Sequence, residues 1–282
     1  MMLYLMDHVQ IAENKIPQKN FHSICKFCEK ELKAIGLDYL YANIDASSIE
    51  YERCTCDKSK DYWNEIDYKI QQQKKKEYYK QIINQFYSQN YISKRLKEYK
   101  FENFIVTNIN KNEVKIVKDY TKQCINNQQE NGLIITGNTS AGKTHLAAAI
   151  SNELVKRDKL VLMGRLTSLL DMIKETFKDN SKSESKLIDL FSNIDMVVID
   201  DLGTEKISSW ALDKLYTIIQ NRNENKLPII ITTKFDREHL LNRFYQSNDK
   251  ELSEAIIQKL YQMCYGIELK KYDQEEKVSK SN

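Results

Sequence analysis

Glycine and proline are scarce in this chain, 7 and 2 among 282 residues, so most of it is free to be helical. Long apolar runs are missing too. Nothing approaches the ~20 consecutive residues a helix needs to cross a bilayer, and Met1 to Gln10 holds neither a basic leader nor an apolar stretch of signal length, so a cytoplasmic protein that does not meet the membrane is expected. Charge of one sign is also lacking. Lys+Arg number 43 against 40 Asp+Glu, a formal net of +3, so net charge does not by itself mark a nucleic-acid binder, and any basic surface has to be local. Cysteine is present six times. Cys124 and Cys264 stand alone, and the set fits reduced thiols plus a metal site better than a secreted disulfide scaffold. The length accommodates one full-sized core and a smaller module.

The most informative stretch runs from Leu133 to Thr144. An apolar strand, Leu133-Ile134-Ile135-Thr136, leads into Gly137-Asn138-Thr139-Ser140-Ala141-Gly142-Lys143-Thr144, which fits G-x-x-x-x-G-K-[ST], the phosphate-binding loop. A polyphosphate needs consecutive backbone N–H groups pointing inward, and Gly137 and Gly142 allow that approach. Lys143 supplies a point charge, and the helix that follows adds the positive end of its dipole. The Thr144 hydroxyl is placed to ligate a magnesium that bridges the phosphates. His145 completes the set of candidate nucleotide-contacting residues, 137 to 145.

Before this domain, residues 1–56 contain Cys25-Lys26-Phe27-Cys28 and Cys54-Thr55-Cys56. Four thiolates in two close pairs can close a tetrahedral zinc site and so stabilise a module too small to build its own core. His22 is a possible substitute ligand. Residues 57–100 shift to Lys, Gln, Tyr and Ile and predict a long, basic helical linker. Either its polar face is simply solvated, or Lys74-Lys75-Lys76 and neighbouring tyrosines contact nucleic acid.

The second domain is expected over 101–269, with a charged tail at 270–282. A helix near Val114 to Asn126 leads to the phosphate loop. It is followed by a helix from Thr144 to about Lys156, a strand at Leu160 to Met163, and helices near Ser168 to Lys178 and Glu184 to Phe191. Met196-Val197-Val198-Ile199-Asp200-Asp201 then reads as a buried parallel strand delivering carboxylates to the edge where the phosphate loop sits. Asp200 is placed to hold the hydrated magnesium and Asp201 to act as a base or to orient water. The strand Pro228 to Thr232 ends in Thr232-Thr233-Lys234 at the same edge, with Thr233 the candidate for sensing a γ-phosphate. A helix over Leu252 to Tyr265 and a strand over Gly266 to Leu269 complete an α/β fold, a five-stranded parallel sheet with helices on both faces.

From about Arg95 to Leu269 the sequence resembles the AAA+ ATPases of the bacterial and phage helicase-loader family, the DnaC and DnaI type. The residues that carry the likeness are Phe101-Glu102-Asn103-Phe104, Gly142-Lys143-Thr144-His145-Leu146-Ala147-Ala148-Ala149-Ile150, Ile199-Asp200-Asp201-Leu202-Gly203-Thr204-Glu205 and Ile230-Ile231-Thr232-Thr233. The cysteine cluster and basic linker also resemble phage and DnaI-type loaders, in which that part contacts the helicase. The resemblance implies an AAA+ P-loop NTPase using ATP, Mg2+ and Zn2+, which self-assembles on a DnaB-type replicative helicase and brings it onto single-stranded DNA. Three departures from the family pattern stand out. Ser140 stands where glycine is frequent, and Lys234 where asparagine usually follows Thr-Thr. Ala255 and Lys259 stand in a segment that normally carries arginines, which leaves Lys259, or Arg243 in its place, as the cation offered to a neighbouring subunit's phosphate. Two other readings are a transposition helper ATPase similar to IstB and a weakly hydrolysing ATP-binding adaptor.

Overall fold

The computed structural model describes residues 22–35, 50–88, 94–175 and 182–270. What the sequence leads one to expect of the first 21 residues, and of the charged tail past Lys270, lies outside these. The chain divides into two compact units, Met1–Lys76 and Glu77–Asn282.

In the first unit, β1 (His22–Ile24), β2 (Glu31–Ile35) and β3 (Glu50–Tyr51) form an antiparallel sheet in the order β1-β2-β3. Cys25 to Cys28 make the turn between β1 and β2. That turn is closed by Cys25 N–H donating to Lys30 O and Glu29 N–H to Cys25 O, both at 2.9 Å, with Glu29 in the left-handed region at φ 59°. After β3 the chain passes through Cys54 and Cys56 into α1 (Asp57–Ser88), whose first turn hangs from Cys56 O. The opening of α1 is tied back to the cysteine loops by rings and one ion pair. Phe27 meets Tyr62 edge-on at 5.6 Å, the Arg53 guanidinium lies 4.5 Å from the Trp63 ring, and Arg53 forks onto Asp67.

The unit boundary falls inside α1. Sequence composition suggested a polar linker with little to pack against, and past Glu77 this is corrected: Tyr79, Ile83 and Phe86 are buried in the core of the second unit. Their spacing, i, i+4 and i+7, makes one apolar stripe on an otherwise polar helix. The Tyr87 hydroxyl donates to Val161 O at 3.0 Å and accepts from Met163 N–H at 3.2 Å, filling backbone positions that a neighbouring strand would otherwise take.

The second unit continues through α2 (Lys94–Glu98), a 3-10 turn at Phe101–Asn103, α3 (Lys111–Ile125), β4 (Gly132–Gly137), α4 (Lys143–Val155), β5 (Val161–Arg165), α5 (Leu166–Glu175), α6 (Lys182–Asn193), β6 (Met196–Asp200), α7 (Ser209–Glu224), β7 (Ile229–Thr232), α8 (Arg237–Phe244), α9 (Lys250–Met263) and β8 (Cys264–Leu269). The five strands β4 to β8 form a wholly parallel sheet in the order β5-β6-β7-β4-β8. Consecutive residues are buried in its central strands, Leu133 to Ile135, Met196 to Ile199 and Ile229 to Ile231, which requires cover on both faces. The sequence pattern does not mark α7 and α8. Each begins at a side-chain cap, Ser208 accepting from Ala211 N–H and Asp236 from His239 N–H. Because β4, β6 and β7 are adjacent and parallel, their C-terminal ends bring three loops together along one edge.

Candidate functional site

The phosphate loop leaves β4 at that edge. Gly137 (φ 135°) lies so close to β8 that a Cβ would stand 2.1 Å from Leu269 O. Gly142 (φ 95°) caps α4, and a Cβ there would come within 2.6 Å of the Phe104 ring. Ser140 takes a left-handed conformation as well, at φ 67°, the conformation that glycine adopts without cost. Asn138, Thr139 and Ser140 are exposed, Ala141 is buried, and Ala141 N–H closes back onto Asn138 O at 3.2 Å.

Lys143 is buried, and its Nζ donates to Gly137 O at 2.7 Å and Asn138 O at 2.8 Å. Burial pulls its pKa below the usual lysine value, the carboxylates of Asp201 and Asp200 oppose that pull, and the cation of Lys234 adds to it. Beside it the Thr144 hydroxyl donates to Asp200 at 2.8 Å. A hydroxyl and a carboxylate side by side are the all-oxygen donors that a hard cation such as Mg2+ prefers, so the residues present fit the ion.

The polar group of β7 that reaches this centre is Thr232. Its hydroxyl donates to Asp200 Oδ1 at 2.6 Å and accepts from Asp201 N–H at 2.8 Å, and Asp201 turns through φ 57°. Thr233, the residue expected to sense phosphate, is fully buried with its hydroxyl donated to Leu202 O at 2.8 Å. The strand period of two is the reason: neighbouring residues point to opposite faces, so only one of the two threonines can meet Asp200. Signals for Thr232 were present in the sequence, a single polar residue closing an apolar strand.

His145 is expected among the nucleotide contacts, and the structure ties it to the segment before α3. Its ring stacks on Tyr99 at 4.3 Å and meets Phe104 edge-on at 5.1 Å. Nε2 lies 3.0 Å from both Lys100 O and Asn103 Oδ1. Both partners are acceptors, so Nε2 carries the proton. Asn152, two turns along α4, donates to Leu96 O and Tyr99 O at 2.8 Å. The Phe101 to Phe104 motif is therefore clamped against the phosphate loop and the start of α4, with Phe104 as the wall over Gly142.

Lys259 lies half-buried on α9, and among the described residues no hydrogen bond or ion pair joins it to the loop. Arg243, the other cation considered for a neighbouring subunit, is engaged within its own chain. Its Nε donates to Gly203 O at 2.8 Å and Nη2 to Thr204 O at 3.3 Å, bracing the turn after Asp201.

The structure gathers the four cysteines of the first unit. Sγ of Cys25, Cys28, Cys54 and Cys56 all lie within 4.8 Å of one another, with Cys25 to Cys56 at 3.9 Å and Cys28 to Cys54 at 3.5 Å. Thiolates bound to one zinc at about 2.3 Å stand about 3.8 Å apart at tetrahedral angles, whereas a disulfide needs about 2.05 Å, so the cluster fits zinc. Burial acts to raise the Cys25 pKa, but hydrogen bonds from the Phe27 and Cys28 N–H groups and from the Cys54 and Cys28 thiols bring it down to about 6, while Cys28, although the Lys30 N–H acts to lower it, is pushed up to about 12 by its thiol neighbours and by burial. The His22 side chain lies outside the described residues.

A parallel sheet carrying a phosphate loop after one strand and a magnesium-type carboxylate after a second defines a P-loop nucleotide-binding fold. The chain belongs to the family described as IstB-like ATP binding protein, whose profile matches residues 31–280. Among curated proteins it is similar to the replicative helicase loader DnaC of Escherichia coli K12, 35% identical over 107 residues, which is 38% of this chain and 44% of that one. The match thus spans less than half the length of DnaC. Similarity to the replicative helicase loader DnaI of Bacillus subtilis 168 is 21% over 91% of this chain and 82% of that one. Solved structures share the fold. The crystal structure of DnaI (TM-score 0.54, 24% identity) covers 63% of this chain and 94% of its own, and that of the DnaC helicase loader (TM-score 0.53, 22% identity) covers 63% and 99%. Among the described residues no helix is long and apolar enough to cross a membrane.

Proposed function

We propose that this chain is an ATP-binding helicase loader that delivers a DnaB-type replicative helicase to single-stranded DNA. The observation that carries this reading is one chain joining a four-cysteine module to an assembled phosphate-binding edge, where Lys143, Thr144, Asp200 and Thr232 meet. Similarity along 91% of the chain to a relative named as a helicase loader supports it. ATP lies with its phosphates over Asn138 to Ser140, and Lys143 turns from the loop carbonyls to the β- and γ-phosphates. Thr144 and Asp200 hold Mg2+, which offsets phosphate charge when bound, and Asp201 orients water. Turnover is slow, since Ala255 and Lys259 offer no guanidinium fork. The zinc module contacts the helicase. Single-stranded DNA binds weakly and without sequence preference, either on the surface of the ATPase unit or along Lys74-Lys75-Lys76.

The family description favours a second reading, a transposition helper of the IstB kind. Size-exclusion of the full chain with a hexameric DnaB-type helicase and ATP separates the two. The loader elutes with the helicase, and Lys143→Ala loses ATP affinity by about tenfold or more, the worth of charge-assisted hydrogen bonds. A chain that ignores the helicase and co-purifies with a transposase is the helper. One that binds the helicase without hydrolysing ATP, with or without DNA, is an adaptor.

A further inference from the structure

We propose that the exposed face of α3 is a track for the backbone of single-stranded DNA, with Lys111, Lys115, Lys118 and Lys122 set along it to meet successive phosphates. The inference rests on the reading that this chain binds single-stranded DNA, and it assigns that DNA to one surface of the second unit.

A formal net charge of only +3 requires any basic surface to be local, and α3 carries one. Val114, Val117, Tyr120, Thr121 and Cys124 bury one side of this helix, which packs against α4 and β8. On the other side all four lysines are exposed. Their spacing, i, i+4, i+7 and i+11, places them within an arc of about 60° and along about 16.5 Å of helix, at successive rises of about 6, 4.5 and 6 Å. The result is a straight row of ammonium groups. Asp119 is the one acid among the exposed residues of α3, and its carboxylate lies 3.4 Å from Lys122 Nζ. Lys111 and Lys115 have no carboxylate partner among the described residues.

The row works against the helix that carries it. Lys111 stands in the first turn, where the helix dipole is already positive, and each lysine is three or four residues from the next, the spacing at which like charges repel. A polyanion lying along the row relieves both effects. Protein interfaces have a centre depleted of charge, whereas no exposed apolar side chain falls within this arc. Ile116, 51% exposed, lies about 100° round the helix from Lys115. A duplex presents two backbones across a groove, but one row of cations follows one backbone. Four-carbon stems let the ammonium groups adjust to a strand whose path is not fixed.

The test is fluorescence anisotropy of a labelled oligothymidine with the full chain, ATP and Mg2+ over a series of salt concentrations. The unchanged protein is compared with Lys111→Gln/Lys115→Gln, with Lys111→Arg/Lys115→Arg and with Lys74→Gln/Lys75→Gln/Lys76→Gln. The α3 glutamine pair should lose about tenfold or more in affinity at low salt, and its slope of log affinity against log salt should shrink by about 0.7 for each lysine removed, about 1.4 in all. The arginine pair and the α1 triple variant should behave as the unchanged protein does, and ATP affinity should stay the same in all of them. An unchanged affinity and slope in the α3 glutamine pair overturns the assignment and leaves the row to an acidic protein surface. Loss confined to the α1 triple variant overturns it in favour of that helix, and a duplex that depends on Lys111 and Lys115 as strongly overturns the choice of single-stranded DNA. No binding of oligothymidine by the unchanged protein overturns the DNA reading and this inference with it.

Discussion

Among the described residues from 22 to 76, the buried side chains are Ser23, Cys25, Cys54 and Ser59, while Ile24 and Ile35 stand 51% and 55% exposed. The unit that begins at Glu77 buries Leu133 to Ile135, Met196 to Ile199, Ile229 to Ile231 and the helices around them in one continuous cluster. Both units must offset the conformational entropy of an ordered chain. The second does so with apolar area, and the described residues of the first bury almost none. What it has is four sulfurs within 4.8 Å. Binding of a structural zinc by such a set has an apparent worth of about 10–16 kcal/mol, enough to replace a core.

The largest expected effect follows directly. Stripping the metal with a chelator, or replacing Cys54 with serine, should unfold the first unit and leave the second folded. Hydrogen exchange would show fast amides from His22 to about Lys76 and protected amides in β4, β6 and β7. Protein purified without chelators but holding no zinc, or equal protection of both units after chelation, would break the comparison.

The same contrast governs what could be read from the sequence. A phosphate loop and close cysteine pairs are local patterns, the first eight residues long and the pairs four and three, whose chemistry is suggested by spacing alone, and both stand assembled in the structure. Thr232 is different. Its role depends on β7 lying between β6 and β4, a neighbour relation that no spacing within the strand encodes. His145 likewise adjoins the phosphate loop in sequence, but its partners Tyr99, Lys100 and Asn103 lie more than forty positions earlier. Four of the five strands are legible because a buried parallel strand is a run of aliphatic residues, whereas β8, Cys264-Tyr265-Gly266-Ile267-Glu268-Leu269 with Tyr265, Gly266 and Glu268 exposed, begins two residues before the stretch the sequence marks. In α7 and α8 the apolar positions are interleaved with charge and the caps at Ser208 and Asp236 are single residues, so both helices were passed over.

A second, smaller effect sharpens where the comparison divides α1. Phe86 is 2% exposed within the second unit's core, and Phe86→Ala should cost that unit about 3–5 kcal/mol. Urea denaturation followed at the second unit would report it, with zinc content unchanged. Were α1 a solvated linker throughout, the midpoint would not move.

The smallest effect concerns Ser140, and it belongs wholly to the second unit. At φ 67° this residue holds a left-handed conformation, which costs a residue with a Cβ about 1–2 kcal/mol and glycine nothing. Ser140→Gly removes that strain, but it also adds freedom to the unfolded chain worth about 0.4–1 kcal/mol. The two terms partly cancel. The expected result is a gain of between zero and about 1.6 kcal/mol, each kcal/mol moving Tm by about 2–4 °C for a domain of this size, with nucleotide affinity preserved because the loop already has the backbone that glycine would adopt. The first unit should not respond at all, since Ser140 lies in the second. Differential scanning calorimetry of the zinc-loaded chain checks both halves of the statement. A loss of more than about 1 kcal/mol would mean that the serine side chain supports the loop by more than its backbone, and a shift in the first unit's transition would mean that the two are not energetically separate.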